Sequence, residues 1–323
     1  MNLWTLTDLT TPWCIHVVAT LRVAHHIEAG HTSIEELATL CGVDRDSLHR
    51  VMRHLVEKGV FERPSHSNFA LNDVSRGLLE ESTLIGLDLN GIGGRMAHAW
   101  STLLPAVRTG RPAYHEVFGR GFWDDLQANP DIAASFDALM GVMGHGVPDP
   151  QILVNPADWD SVRTVVDVGG GTGVLLAEIL KAHPAVRGIL VDLPRVIARS
   201  AEVFGAAAVS DRVTAVAQSF FDPLPPGKDV YVLKSVIGDW PDREAQAILA
   251  RCAEAARPSG RVVVFTSVES QPDASPELLM MVLVGGKGRT LEEFRALARG
   301  AGLEISATGR HPSGRGLVEC RPV

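Results

Sequence analysis

Residues 165–173 read VVDVGGGTG, and the apolar run VLL follows at residues 174–176. A β-branched run that enters a glycine cluster, with a helical pattern leaving it, predicts a strand, a tight turn and the start of a helix. Glycine allows the backbone to approach a ligand closely, and the first turn of a helix offers free N–H donors. The spacing is D-x-G-x-G-x-G, and Val174 stands where a dinucleotide-binding turn needs its third glycine. The stretch therefore predicts a nucleoside-cofactor site of a different kind.

A second buried strand is predicted over residues 188–192, GILVD, just before Leu193 and Pro194. It ends in Asp192, 23 residues after Gly169. A carboxylate at this position can accept hydrogen bonds from both hydroxyls of a cofactor ribose. The alternative is that Asp192 only caps the helix that begins near Pro194. The spacing favours the ribose.

The composition of the 323 residues is that of a soluble enzyme, since 46% are hydrophobic and can build a large core in two domains. No apolar run reaches the length of a membrane span, and the N-terminus lacks the basic and apolar regions of a signal peptide. The net charge of −8 argues against a general nucleic-acid binder. Reduced thiols, no bound metal and a cytoplasmic location are expected because four cysteines lack metal-site spacing: Cys14, Cys41, Cys252 and Cys320.

Residues 1 to about 95 are predicted to form a winged-helix domain. Ser33 and Glu36 make an S-x-x-E capping box, and Gly42 ends the short helix that follows. The next predicted elements are a helix over residues 46–58 and a hairpin of residues 60–63 and 68–71.

The second helix of this domain allows two interpretations. Its His49, Arg50 and Arg53 would suit DNA binding. However, residues 1–63 carry eight acidic and six basic side chains, which is a poor match to a phosphate backbone. We therefore expect a homodimerisation domain that binds neither nucleic acid nor membrane.

Residues 96–157 are predicted to be helical and are rich in aromatic, histidine and methionine residues. Most of these side chains are expected in an ordinary core, but some would line a pocket for a flat organic substrate. Glycines and prolines between residues 141 and 150 break the last helix. This segment is therefore predicted to serve as a linker and substrate lid.

From residue 164 onward, strands alternate with helices in the manner of a doubly wound α/β sheet. Strands are predicted near residues 164–168, 187–192, 212–217, 229–234, 260–267, 303–308 and 315–321. Only a short turn separates the last two, so the final strand is expected to run antiparallel. This ending is rare in dehydrogenases of the Rossmann type and typical of a seven-stranded methyltransferase sheet.

Taken in order, these features make nearly the whole chain resemble the dimeric small-molecule O-methyltransferases that depend on S-adenosylmethionine (SAM). That family includes plant caffeate-type enzymes and enzymes of bacterial antibiotic pathways. The glycine turn resembles its motif I, and the other similar segments are Arg108-Thr109-Gly110, Phe122-Trp123, Asp192-Leu193-Pro194, Ser219-Phe220-Phe221-Asp222, residues 234–242 and residues 285–290. The resemblance implies an α/β fold with three parts along the chain. A winged-helix dimerisation domain (1–95) is followed by a helical lid (96–157) and then by a seven-stranded Rossmann-like SAM-binding domain (158–323).

The resemblance also implies which residues bind the small-molecule cofactor SAM. The glycine turn would hold its methionine end, Asp192 would bind the ribose, and Leu193 would lie against the adenine. Ser219 stands where the family usually has aspartate, so the hydrogen bond to the adenine amino group loses its charge assistance. The other implied cofactor residues are Asp167, Gly169, Gly171, Gly173, Phe220, Lys234 and Trp240.

A larger departure lies in the catalytic segment. The family reads L-H-D-W there, with histidine as the general base, whereas residues 237–240 read IGDW. Gly238 has no side chain and cannot move a proton. The partner acid is also missing, since residues 266–267 read TS, although Glu269 lies just beyond and Glu277 resembles a second family acid.

Two explanations of the missing base remain open. A nucleophile that is already anionic or electron-rich needs no base, because positioning alone supplies much of the acceleration of methyl transfer. Alternatively another residue replaces it, with His145 the first candidate and His98 and His115 weaker ones. We predict catalytic roles for His145 and Asp239, and the predicted substrate-binding residues are Trp123, Met140, His145, Gly238 and Met281.

The predicted function is SAM-dependent methylation of a small aromatic natural-product intermediate. The alternative is a SAM-assisted hydroxylase, decarboxylase or pericyclase on the same scaffold. A DNA-binding regulator is disfavoured by the negative charge of the first domain.

Overall fold

The computed structural model of the protein describes residues 3–266 and 278–323, which form two compact units. The first unit contains the chain up to His98 together with Asn129–Leu139, and the second contains Ala99–Ala128 and the chain from Met140 onward. The segment 129–139 belongs to the first unit, where the Ser135 hydroxyl accepts a hydrogen bond from the Ile92 N–H at 2.9 Å. The three-part division expected from the sequence stays a prediction.

The helices are α1 (Leu3–Leu6), α2 (Thr10–Thr20), α3 (Val23–Glu28), α4 (Ile34–Cys41), α5 (Arg45–Glu57), α6 (Asp73–Arg76), α7 (Glu81–Leu87), α8 (Ile92–Ala99), α9 (Leu103–Thr109), α10 (His115–Phe118), α11 (Phe122–Ala128), α12 (Pro130–Met140), α13 (Val142–His145), α14 (Val174–Ala182), α15 (Pro194–Ala206), α16 (Asp242–Ala256), α17 (Leu278–Leu283) and α18 (Leu291–Gly300). Short 3₁₀ helices span Gly77–Leu79, Trp100–Thr102, Pro156–Ser161, Ser210–Arg212 and Ile237–Asp239. The strands are β1 (Phe61–Glu62), β2 (Ala70–Leu71), β3 (Thr164–Val168), β4 (Arg187–Asp192), β5 (Val213–Ala217), β6 (Val230–Lys234), β7 (Arg261–Thr266), β8 (Leu303–Arg310) and β9 (Gly316–Pro322).

The first unit has the predicted winged-helix pattern. The capping box forms, with each of Ser33 and Glu36 accepting from the other's backbone N–H, and Gly42 ends α4 in the left-handed region at φ 66°. Helix α5 begins one residue earlier than predicted, because Asp44 caps it by accepting from the Ser47 N–H at 2.8 Å. Strands β1 and β2 pair antiparallel as a short wing.

The apolar residues of the first unit divide between a core and an exposed N-terminal face. The core contains fully buried side chains from α2, α4, α5 and the wing, among them Val18, Ile34, Leu37, Met52, Leu55 and Phe69. By contrast, Leu3, Trp4, Leu6 and Leu9 are exposed, Trp4 by 84%. Large apolar patches of this kind are typical of an interaction surface.

The second unit is built on a seven-stranded sheet of order β5-β4-β3-β6-β7-β9-β8. Strands β3 to β7 are mutually parallel, and β9 lies antiparallel between β7 and β8. Each strand lies within two residues of its predicted position, and the closing hairpin is confirmed.

Side chains of the sheet alternate between two buried layers. Val166 and Leu233 pack with α16 on one face, and Val165 and Val232 pack with α14 on the other. Strand β3 pairs with β4 on one side and with β6 on the other. The chain builds the sheet outward from β3 in one direction and then in the opposite direction, so the strand order reverses beside β3. In open α/β sheets a ligand binds at the carboxyl ends of the strands at such a reversal. Among the described residues, no helix is long and apolar enough to cross a bilayer.

Candidate active site

The glycine turn joins β3 to α14 at this reversal. Gly171 has φ 62°, and a Cβ built on it would meet no described atom within 4 Å, so its backbone faces open space. Gly173 has φ 87°, and a Cβ there would collide with the ring of Phe204. Gly173 is also the N-cap of α14 and, as a glycine, makes no side-chain cap there.

Asp192 connects the end of β4 to this turn. Its Oδ2 accepts from the Gly171 N–H at 2.8 Å and its Oδ1 accepts from the Leu193 N–H at 2.7 Å. Helix α15 has Leu193 as its N-cap, without a side-chain cap hydrogen bond from the described residues. The carboxylate of Asp192 thus lies at the edge of the turn, and both interpretations of this residue, ribose acceptor and helix cap, stay predictions.

Asp167, at the end of β3, is an unusual buried carboxylate. It is 1% exposed, and neither oxygen has a hydrogen-bond partner among the described residues. Burial raises its pKa to about 7; the positive charge of Lys234 acts against this rise, the negative charge of Asp192 adds to it, and the nearby backbone N–H of Leu176 acts against it. A Cβ on Gly170 would collide with this carboxylate, so a glycine at position 170 allows the backbone of the turn to pack directly against Asp167. A buried carboxylate without a donor that meets hydrogen-bond geometry calls for an explanation, and a donor on a bound ligand is one.

Lys234, at the end of β6, is the cation that faces Asp167. Burial lowers its pKa, the nearby charge of Arg315 lowers it further, and Asp167 opposes both. The next residue, Ser235, has φ 57°, which is uncommon for a residue with a side chain. Its hydroxyl accepts from the Arg315 guanidinium at 2.5 Å.

An aromatic wall, formed by Trp123, Phe220, Phe221 and Trp240, lies beside the turn. The rings of Trp123 and Trp240 are stacked with centroids 5.8 Å apart and an interplanar angle of 17°. The two phenylalanine rings meet Trp240 edge-on at 5.9 and 5.1 Å. A Cβ on Gly169 would lie 3.2 Å from Phe220, which puts this wall against the glycine turn. Ser219 accepts from the Phe221 N–H at 3.2 Å.

Gly238 lies in the 3₁₀ helix Ile237–Asp239, directly before Trp240. A Cβ built on Gly238 would meet no described atom within 4 Å, so the space that a side chain would enter is open. A Cβ on Gly286 would collide with the carbonyl oxygen of Gly238, so the backbones of these two glycines pack tightly against each other. Asp239 is half-buried in the same short helix.

The other predicted substrate and catalytic residues are less fully placed. Met140, at the end of α12, is 40% exposed, and Met281 lies half-buried on α17, one turn before Gly285. His145 ends α13, but its side chain lies outside what the structure describes. Ser267, Glu269 and Glu277 also lie outside the described residues. Sequence reasoning gave no role to Arg289, whose side chain is 3% exposed and bonds to the Ile237–Trp240 backbone.

These features fit SAM, whose amino acid end carries an ammonium group and a carboxylate group. The unpaired carboxylate of Asp167 would accept from its ammonium group, and the N-terminus of α14 would hold its carboxylate. Asp192 would accept from the ribose, and Phe220 would flank the adenine.

Comparisons with known proteins identify the family. Residues 100–304 match the O-methyltransferase domain, and residues 4–81 match the O-methyltransferase dimerisation domain. The chain is 40% identical to the 2,7-dihydroxy-5-methyl-1-naphthoate 7-O-methyltransferase of Streptomyces carzinostaticus, over 97% of this chain and 94% of that one. It is 37% identical to the aclacinomycin 10-hydroxylase of Streptomyces purpurascens, over 94% of this chain and 83% of that one.

A solved structure extends the likeness to three dimensions. It is an O-methyltransferase from neocarzinostatin biosynthesis in complex with S-adenosyl-L-homocysteine (SAH) and 1,4-dihydroxy-2-naphthoic acid. It matches with a TM-score of 0.93 at 39% identity, covering 100% of this chain and 99% of that chain. The match to the dimerisation domain confirms the predicted homodimer, and the match to the O-methyltransferase domain together with the solved complexes confirms the predicted SAM cofactor. The chain belongs to the SAM-dependent small-molecule O-methyltransferases.

Proposed function

We propose that this enzyme methylates a hydroxyl group of a bicyclic aromatic natural-product intermediate of the hydroxynaphthoate class. One observation carries the proposal: the aromatic wall and the open space at Gly238 lie beside a turn built for SAM. A flat ring system fits between such surfaces, because stacked and edge-on aromatic contacts both stabilise it. The naphthoate and naphthoic acid in the names of the relatives support the same class.

The roles of the individual residues follow from their chemistry. Bound SAM supplies an electrophilic methyl group on a positively charged sulfur. Asp167, the glycine turn and Asp192 would fix both ends of the cofactor, while Trp123, Met140 and Met281 would hold the substrate ring. Ser219, Leu193, Lys234 and Trp240 complete the proposed cofactor site.

Deprotonation of the substrate hydroxyl would not involve residue 238. Gly238 offers no acid–base group, so the substrate is proposed to be acidic enough to ionise in the site or in solution. Positioning then supplies most of the acceleration. The alternative base is His145, with Asp239 as an orienting carboxylate, and His145→Ala separates the two. A base contributes about 10²–10⁴-fold, so a loss of that size would assign the role to His145.

The proposal is tested by incubating the enzyme with methyl-deuterated SAM and 2,7-dihydroxy-5-methyl-1-naphthoate. We expect one labelled methyl group on a substrate oxygen for each SAH formed. A panel of simple phenols serves as the control, and these should react more slowly because they are less acidic. Methylation of the phenols in preference to the naphthoate would contradict the proposal.

SAM-assisted hydroxylation is a second candidate, favoured by the similar aclacinomycin 10-hydroxylase and by the absence of a side chain at Gly238. The two functions differ in what happens to SAM. Methyl transfer converts SAM to SAH in step with product. Hydroxylation would instead insert one oxygen atom of O2 into the substrate, reduce the other to water with two electrons from an added reductant, and leave SAM intact. The labelled assay, repeated in air with a thiol reductant, therefore decides between them.

Replacing Asp192 with alanine should weaken SAH binding by about 1–3 kcal/mol, the scale of a lost hydrogen bond to a charged group. Titration calorimetry measures the effect. Asp211→Ala, an exposed aspartate in the short helix before β5, is the matched control and should bind as the wild type does. Equal affinity in wild type and Asp192→Ala would remove this residue from the cofactor site.

The exposed N-terminal face leads to a prediction about the dimer. Light scattering should find a dimer at micromolar concentration, and Trp4→Glu should weaken it because a charge would be buried in the interface. Glu57→Gln, at an exposed position on α5, is the control. A monomeric wild type, or an equally stable dimer in Trp4→Glu, would contradict this use of the face.

We also propose a cytoplasmic location. All four cysteines are free thiols in the described part of the chain, which suits a reducing compartment.

A further inference from the structure

Arg289 lies beneath the catalytic segment and holds both of its ends. Its Nη1 donates to the carbonyl oxygen of Ile237 at 2.9 Å, and its Nη2 donates to that of Trp240 at 2.8 Å. The side chain is only 3% exposed. One planar guanidinium therefore fixes the first and last residues of the turn that contains Gly238.

The charge of Arg289 is balanced at the start of the next helix. Its Nε donates to the Asp242 carboxylate at 2.9 Å, and Lys287 contacts the other oxygen of that carboxylate at 3.0 Å. Burial alone would raise the pKa of Asp242, but the hydrogen bonds from Lys287 and Arg289 hold it below its ordinary value. The guanidinium is thus a stable part of the structure across the neutral pH range.

The backbone that carries Arg289 is also closely fixed. Gly285 has φ 74°, and a Cβ there would lie 2.8 Å from Pro112, while Gly286 packs against the Gly238 carbonyl. Directly after Arg289, Thr290 caps α18 in a capping box with Glu293. The backbone on either side of Arg289 therefore has little freedom to move, which fixes the point from which its side chain extends to the catalytic segment.

We propose that Arg289 is a positioning residue, which sets the placement of Trp240 and of the open space at Gly238 relative to the cofactor turn. The planar fork of the guanidinium donates to both carbonyls at once, and lysine, a compact ammonium on a flexible stem, does not reproduce this fixed geometry. Displacements of about 1 Å can cost on the order of 100-fold in rate. The catalytic part of the inference rests on the proposed function of this segment.

The test compares Arg289→Lys and Arg289→Met with the wild type. Arg295→Met is the matched control, since Arg295 lies on α18 and pairs with the exposed Glu292. Hydrogen exchange of the peptide covering residues 236–242 should become about tenfold faster in both Arg289 variants and stay unchanged in the control. With 2,7-dihydroxy-5-methyl-1-naphthoate as the assay substrate, kcat should fall about tenfold or more, and the fall in kcat should exceed the rise in KM for SAM, since Trp240 also borders the cofactor.

The outcomes separate this inference from the proposed function. If the wild type does not methylate the naphthoate, the proposed function fails, and hydrogen exchange together with SAH calorimetry still decides the role of Arg289. Unchanged exchange in residues 236–242 in Arg289→Lys would overturn the inference. A lower melting temperature with kcat unchanged would also overturn it, because the residue would then only stabilise the fold. Arg289→Lys keeps the positive charge beside Asp242, so it still gives a result if Arg289→Met fails to fold.

Discussion

Replacing Gly238 with histidine is expected to lower the turnover of hydroxynaphthoate by about fivefold to hundredfold. The backbone of Gly238 lies outside the left-handed region, so a side chain can be added there without strain. The imidazole would then enter the open space that we assign to the substrate. Overfilling a packed site commonly costs about 1–3 kcal/mol, which corresponds to that loss.

The same variant should gain activity on ordinary phenols, whose hydroxyls need a base. General-base catalysis contributes about 10²–10⁴-fold where it operates. Gly238→Ala is the matched control, because it adds a side chain without an acid–base group and should therefore gain no activity on phenols. A histidine variant that is faster than the wild type on hydroxynaphthoate would show that the base was merely missing, and our argument would be wrong.

Replacing Asp167 with asparagine is expected to separate cofactor binding from stability. SAH affinity should fall about tenfold to hundredfold, because the ammonium group of the ligand loses its charged partner. At pH 8 the ligand-free variant should be more stable than the wild type, by on the order of 2 kcal/mol, since a buried unpaired charge is removed. Calorimetry and chemical unfolding measure the two effects.

The raised pKa of Asp167 fixes the sign of the pH dependence. Between the unfolded value of 3.8 and the folded value of about 7, the folded state holds a proton that the unfolded state has lost. The contribution of Asp167 to stability therefore falls as pH rises through that window and is constant above it. SAH binding favours the carboxylate, so its affinity should increase up to about pH 7 and then level off. If both trends persist unchanged in Asp167→Asn, another group is responsible.

The parts of the fold that follow local patterns could be predicted from the sequence. Alternating apolar runs placed all seven strands of the main sheet within two residues, and the pair Ser33 and Glu36 located a helix start correctly. The juxtaposition of Gly171 and Asp192 was also accessible, because parallel strands bring their carboxyl ends to one edge of the sheet. The spacing of two short motifs predicted a nucleoside-cofactor site, and the resemblance to the O-methyltransferases implied that the cofactor is SAM.

Features that depend on distant contacts were not predictable in this way. In the sequence, Asp167 is an ordinary polar residue near the end of a strand. That its oxygens are buried without a hydrogen-bond partner among the described residues depends on the residues that pack around it. Arg289 was quoted as part of a motif, but its bonds to Ile237 and Trp240 cross about fifty residues of chain. The stacking of Trp123 on Trp240 likewise joins separate segments. No periodicity in the sequence reports such pairs.

A SAM site and an aromatic substrate are proposed to meet at residues 237–240 without an imidazole base. This arrangement is tested by a crystal structure of the enzyme with SAH and 2,7-dihydroxy-5-methyl-1-naphthoate. We expect the SAH amino group on Asp167 and its ribose on Asp192. The naphthoate ring should lie against Trp240 with a hydroxyl facing the sulfur, and no histidine should hydrogen-bond to that hydroxyl. A histidine nitrogen within about 3.2 Å of the hydroxyl would contradict the account, since that is the reach of a general base.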